Sequence, residues 1–130
     1  MKWMDRERSF WVIGGDLRQR ALARLLREDG HTVHIAGLEG EGLEPEPLGP
    51  GLALAHCVIL PLPVAVGESF VHTPLSAARL PLAQVLDCLR PGQLVCGGMI
   101  SPAVAAEMTR RGLRWADYYA REECMVANAV

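Results

Sequence analysis

The sequence lacks an excess of basic charge: 13 Lys+Arg stand against 15 Asp+Glu in 130 residues. That excludes a general nucleic-acid binder, which needs a basic surface. It lacks any apolar run approaching the roughly 20 residues that cross a bilayer. The charged start Met1-Lys2-Trp3-Met4-Asp5-Arg6-Glu7-Arg8 is unlike a secretory signal, so a cytosolic setting is expected. Its four cysteines, Cys57, Cys88, Cys96 and Cys124, form no CxxC pair and have no histidine at zinc-ligand spacing. They read as buried reduced thiols acting as small hydrophobes, and no metal is expected. There is no GxSxG and no Walker loop. No nucleophile–base pair stands out, so no catalytic residue is assigned. A dinucleotide fingerprint is also missing: only Gly14-Gly15 is present, and Asp16 and Gln19 stand where GxGxxG needs glycine.

What is present is an alternation of strands and helices in a chain sized for one domain. Half the residues are hydrophobic, enough for a real core. The run Ser9-Phe10-Trp11-Val12-Ile13 predicts a buried strand ending at Gly14-Gly15, after which Asp16 caps a helix. Leu17, Ala21, Leu22, Leu25 and Leu26 are expected to form its inward stripe. Asp29-Gly30 ends it, and residues 32–36 make the second strand. Residues 38–52 contain only Leu, Glu, Gly and Pro and are expected to be a mobile acidic surface loop.

Residues 56–60 predict the third strand, and 62–80 read as irregular. Pro81 opens a helix with Leu82, Val85, Leu86 and Leu89 inward, ended by Pro91-Gly92. Residues 93–96 predict strand four, and Ser101-Pro102 starts a helix with Val104 and Met108 facing inward. Residues 113–118 predict strand five. A last helix is expected from 122 to 130, and because it has no stop signal the natural chain is expected to continue. Strands too apolar to face water imply a parallel sheet covered on both faces. The expected fold is an α/β, flavodoxin-like three-layer domain with a five-stranded parallel sheet in the order 2-1-3-4-5.

In such sheets ligands sit at the carboxyl ends of the strands. At Gly14-Gly15-Asp16 the backbone can approach a ligand, the helix start offers amides, and Arg18 can pair with a carboxylate. The equal alternative is that the glycines serve the turn alone, with Asp16 as cap and Arg18 solvated. The long loop from 61 to 76 brings Glu68, Ser69, His72, Thr73 and Ser76, of which His72 is either an anion donor or proton relay or simply solvated. Gly97-Gly98 leading to Ser101 offers a second amide-rich helix start, or an ordinary capped turn. Glu122 and Glu123 are expected to complement the start of the last helix, with a general-base role for either as the lesser alternative. A phosphoacceptor receiver is excluded because its third strand would end in Asp, where this chain has Pro61. The remaining pattern suits a small anionic metabolite.

The motif Val12-Ile13-Gly14-Gly15-Asp16-Leu17-Arg18-Gln19 resembles the opening of the amino-terminal domain of the dipicolinate synthase A-subunit. The run Ile59-Leu60-Pro61, then Gly67-Glu68, Thr73 and Ser76, is similar as well. So are the strand from 94 to 98 with Ile100-Ser101, and Arg121-Glu122-Glu123 through Asn128. The resemblance spans about residues 10–130. It implies the substrate side of a two-domain dehydrogenase whose cofactor domain, holding NAD(P), follows this one, so the domain alone is not an active enzyme and carries no cofactor. It implies oxidation of a dihydrodipicolinate-type precursor to dipicolinate during sporulation, in the mother-cell cytoplasm. The partners it implies are the synthase's B-subunit, which is flavoprotein-like, and a possible homo-oligomer. Gly14, Gly15, Asp16, Arg18, Gln19, Thr73, Ser76, Ser101 and Asn128 would face the cleft by resemblance, with His72 and Gly98 added from the loop readings above. His72, Pro63 and Pro74 depart from the family pattern, and the 38–52 loop reads as a lineage-specific elaboration. Small-anion sensing and docking to a partner protein are the alternatives without catalysis.

Overall fold

The structure is a computed structural model and describes residues 8–40, 42–67 and 69–118. Strands β1 (Ser9–Ile13), β2 (Thr32–Ala36), β3 (Cys57–Ile59), β6 (Leu94–Gly97) and β7 (Arg114–Asp117) form a five-stranded sheet in the order β2-β1-β3-β6-β7. Every pairing in it is parallel. This is the order 2-1-3-4-5 once the two strands β4 (Ala65–Val66) and β5 (Phe70–Val71) are set aside, since those pair only with each other. Helix α1 (Leu17–Glu28) follows β1, α2 (Leu82–Asp87) precedes β6 and α3 (Pro102–Arg110) precedes β7.

The period-two alternation of the strands sorts two cores. Trp11, Ile13, Val58, Leu60 and Val95 pack with Val85 and Leu86 of α2 and Val104 and Met108 of α3. Val12, Ile35, Cys57 and Ile59 face the other way and meet Ala23 of α1, with Leu22 and Leu26 against them. The expected inward positions Val104 and Met108 are buried.

Four expectations change. Helix α1 is rotated from the leucine stripe: Gln19 and Ala23 are buried, while Leu17 is 65% and Leu25 58% exposed, and Ala21 is exposed as well. The small Ala23 lets the helix approach the sheet, and the Gln19 amide remains satisfied by donating to the Ile59 carbonyl at 3.4 Å. The 38–52 stretch is not a free loop. Its Leu38, Leu43 and Leu52 are buried, and Pro50–Leu54 is a 3-10 helix. The region 62–80 contains the β4–β5 hairpin. Helix α2 ends at Asp87, short of Leu89, which packs from the following turn.

At the amino end of the sheet, buried Gln93 holds the 3-10 helix in place. Its Nε2 donates to the Leu52 and Ala55 carbonyls at 2.9 and 2.8 Å, and its Oε1 accepts from the Arg90 amide at 2.6 Å. No helix among the described residues is long and apolar enough to cross a membrane. The last predicted helix lies outside the described residues.

Candidate functional site at the carboxyl ends of the strands

The turn after β1 needs its two glycines. Gly14 and Gly15 take positive φ of 68° and 96°. A Cβ on Gly14 would come within 2.7 Å of the His72 carbonyl oxygen. The segment after β5 therefore sits directly on this turn. The Gly15 amide donates to the His72 carbonyl and the Gly14 amide to Ala36, both at 2.8 Å. His72 thus contributes its main chain here.

Asp16 caps α1 by accepting from the Arg18 amide at 2.9 Å. The same carboxylate takes the Arg18 side chain in a fork, Nε to Oδ1 at 3.2 Å and Nη2 to Oδ2 at 3.0 Å. This hydrogen-bonded guanidinium holds the Asp16 carboxyl below the usual carboxylate range and raises Arg18 in turn. Nη2 also reaches the Leu62 carbonyl at 3.5 Å. Asp16, Arg18 and Tyr118 stand at a hollow of about 410 Å³, with Leu22, Ile59, Leu62, Cys96 and Ala116 among its walls. Tyr118 donates to the Leu60 carbonyl at 3.1 Å, and burial pushes its phenol up to about 12, so it stays protonated at neutral pH.

The turn after β6 is built differently. Gly98 leaves room for Leu62, whose Cβ would lie 2.9 Å from a Cβ placed there. Ser101 caps α3 by accepting from the Val104 amide at 3.2 Å. The amides of Met99 and Ile100 donate to the two oxygens of Asp117 at 3.1 and 2.8 Å. Met99, with φ of 55°, takes the left-handed conformation that this geometry imposes. Asp117 therefore fills the amide cradle that the sequence reading offers to a ligand.

Thr73 and Ser76 belong to a neighbouring hollow, lined also by His72 and Arg79. Thr73 Oγ1 donates to the Ala78 carbonyl at 3.0 Å, and Ser76 donates to Glu39 at 2.6 Å. The Thr73 methyl nonetheless lies close to Gly14 and Gly37. The structure thus gathers Gly14, Gly15, Asp16, Arg18 and Gln19 around one hollow and turn. It sets His72, Thr73 and Ser76 beside them, and it ties Gly98 and Ser101 into the turn after β6. Asn128, Glu122, Glu123 and Glu68 lie outside the described residues.

The sequence reading missed Asp117, Tyr118 and Leu62. A carboxylate or phenol at the end of a strand was the available signal, since strand ends face the crevice in this topology.

A dinucleotide does not fit the turn after β1. The Gly14 and Gly15 amides are taken by main-chain carbonyls, and the Asp16 carboxylate would meet a pyrophosphate with like charge.

The sequence profile of the family described as the N-terminal domain of the dipicolinate synthase A-subunit matches residues 9–119. The chain belongs to this family. Among solved structures, the dipicolinate synthase A chain from Bacillus subtilis superposes with a TM-score of 0.75 at 20% identity. The A-subunit from Bacillus halodurans does so with 0.76 at 16% identity. Each match covers 95% of this chain and 44% of the other, so this member of the family spans less than half the length of those chains. At such identities the likeness speaks for the fold. No curated protein matches the sequence significantly.

Proposed function

We propose that this domain supplies the substrate side of a cleft in which a dihydrodipicolinate-type dicarboxylate is oxidised to dipicolinate, with NAD(P) held by a part of the protein that this chain does not span. The observation that carries the reading is Arg18, oriented by Asp16 at the mouth of a hollow on the carboxyl side of the sheet. Family membership supports the same substrate class. Asp16 occupies Nε and Nη2 of the guanidinium, so Nη1 is the donor group remaining for a ligand carboxylate. Its partner fixes its direction in advance, which lowers the entropy cost of holding a substrate for reaction. Tyr118 stays a neutral phenol and serves as a wall with a hydrogen-bonding edge rather than as a base.

Sporulation, a cytoplasmic mother-cell setting, partnership with the B-subunit of the synthase and self-association belong to the same proposal. The test is Arg18→Ala in the full-length enzyme. A rise in KM of about tenfold or more with kcat little changed is expected for loss of a carboxylate contact, and unchanged kinetics would refute the assignment. A second reading, anion binding without catalysis, predicts that the 130-residue chain binds dipicolinate while the full-length protein lacks turnover.

A further inference from the structure

A second hollow, of about 430 Å³, lies at the amino end of the sheet, away from Asp16 and Arg18. His56, Arg90 and Arg114 line it, with Leu54 and Pro91 beside them. His56 directly precedes β3, Arg90 stands in the turn before β6, and Arg114 is the first residue of β7. The chain has more acidic than basic residues, 15 against 13, yet no Asp or Glu is among the residues lining this hollow. Arg18, Arg110 and Arg111 are spent in ion pairs, whereas Arg90 and Arg114 form none among the described residues. The donors that remain can be named. Arg114 Nε donates to the Gly92 carbonyl at 2.9 Å, which leaves its two Nη groups. His56 Nδ1 accepts from the Ser9 amide at 3.0 Å, so the neutral ring carries its hydrogen on Nε2. Arg90 is held through its main chain, its amide donating to Gln93 Oε1 at 2.6 Å. The same Gln93 side chain binds the Leu52 and Ala55 carbonyls, so the backbone beneath Arg90 and next to His56 is tied into one piece.

We propose that this hollow binds a small phosphomonoester, with the phosphoryl group on Arg90, Arg114 and His56 and the organic part against Leu54 and Pro91. Two guanidinium charges and an imidazole N–H, brought from three separate segments, suit a tetrahedral dianion with three acceptor oxygens. A carboxylate is planar, carries one charge and is satisfied by a single fork. The volume falls within the roughly 300–1,000 Å³ of small-molecule sites and exceeds what a bare ion fills. Leu54 is 73% exposed beside the cations, an apolar surface that an organic group would cover. Because the hollow stands at the far end of the sheet, its ligand makes no contact with the Asp16–Arg18 fork.

The experiment follows the amide and methyl NMR signals of the 130-residue chain at constant ionic strength, with phenyl phosphate as the probe. Saturable shifts at Arg90, Gly92, Arg114 and the Leu54 methyls are expected, while the Arg18 signals stay still. Arg90→Gln is expected to weaken binding by about tenfold or more, the worth of one charge-assisted contact, and Arg114→Gln to do the same. Shifts that grow without saturating, or that centre on Arg18, overturn the proposal. Sulfate that binds as tightly as phenyl phosphate overturns it too, because the organic part would then go unrecognised. Benzoate that does so removes the phosphoryl group from the argument, with the same result. An Arg90→Gln chain that keeps both the parent spectrum and the parent affinity is equally fatal. Should Arg114→Gln disturb the fold by losing its bond to Gly92, the parent titration and Arg90→Gln decide.

Discussion

The turn after β1 and the turn after β6 are written in nearly the same residues, a pair of glycines and then a hydroxyl or carboxylate cap, and both deliver a helix start to the same end of the sheet. Their polar groups are satisfied in different ways. After β1 the carboxylate is local: Asp16 caps its own helix and turns outward to fork with Arg18. After β6 the carboxylate comes from a distant strand, and Asp117 closes over the Met99 and Ile100 amides. The first arrangement keeps a cation at the surface; the second uses up its donors within the fold. Similar turns thus diverge according to whether a carboxylate arrives from elsewhere in the chain.

The strongest way to break the contrast is Gly14→Ala. The new methyl would press on the His72 carbonyl in a positive-φ backbone, and the combined strain and overlap is expected to cost about 3 kcal/mol, read by urea denaturation. Asp117→Ala comes next. It strips a charged acceptor from two amides, for an expected loss of about 2 kcal/mol, and it opens the second cradle to added anions. Stabilisation of that variant by sulfate, absent in the parent, would sharpen the comparison. Asp16→Ala should cost only about 1 kcal/mol, the worth of an exposed cap. A larger loss would mean that the Asp16–Arg18 fork is structural rather than poised for a ligand.

The smallest effect is one of pH. Arg18 lowers the Asp16 pKa from 3.8, so the native state binds fewer protons than the unfolded chain in this range. The stabilisation is therefore full above about pH 4 and is lost as pH falls through the lowered value. Glu107 behaves likewise: its hydrogen bonds to Arg110 and Arg111 bring it from 4.5 to about 2. Acid titration of Asp16→Asn should be flatter than that of the parent just below pH 4, and Glu107→Gln should flatten the range between about 4.5 and 2.

Much of this was legible in the residues. The apolar strands, the caps Asp16 and Ser101 and the strand order all follow from local pattern and connection rules. The facing of α1 was not legible, because a leucine count ignores that Ala23 permits close packing and that Gln19 finds a carbonyl to bond. The β4–β5 hairpin escaped because two-residue strands carry no period. The buried Leu38, Leu43 and Leu52 were hidden in a stretch whose acidic and proline residues dominate its composition. At the site, the Asp16 cap could be read because its partner lies two residues away. Asp117 could not, since its bonds span 17 and 18 residues and depend on register.

The Gln93 amide, with its three bonds, acts as a rivet at the end of the sheet opposite the hollow beside Arg18. Fluctuations that open the domain should then begin at the strands' carboxyl ends and die out toward their amino ends. Amide deuteration would register this as a gradient along β3 and β6, slowest beside Gln93. The molecule would yield around the Asp16–Arg18 hollow while its far end stays shut.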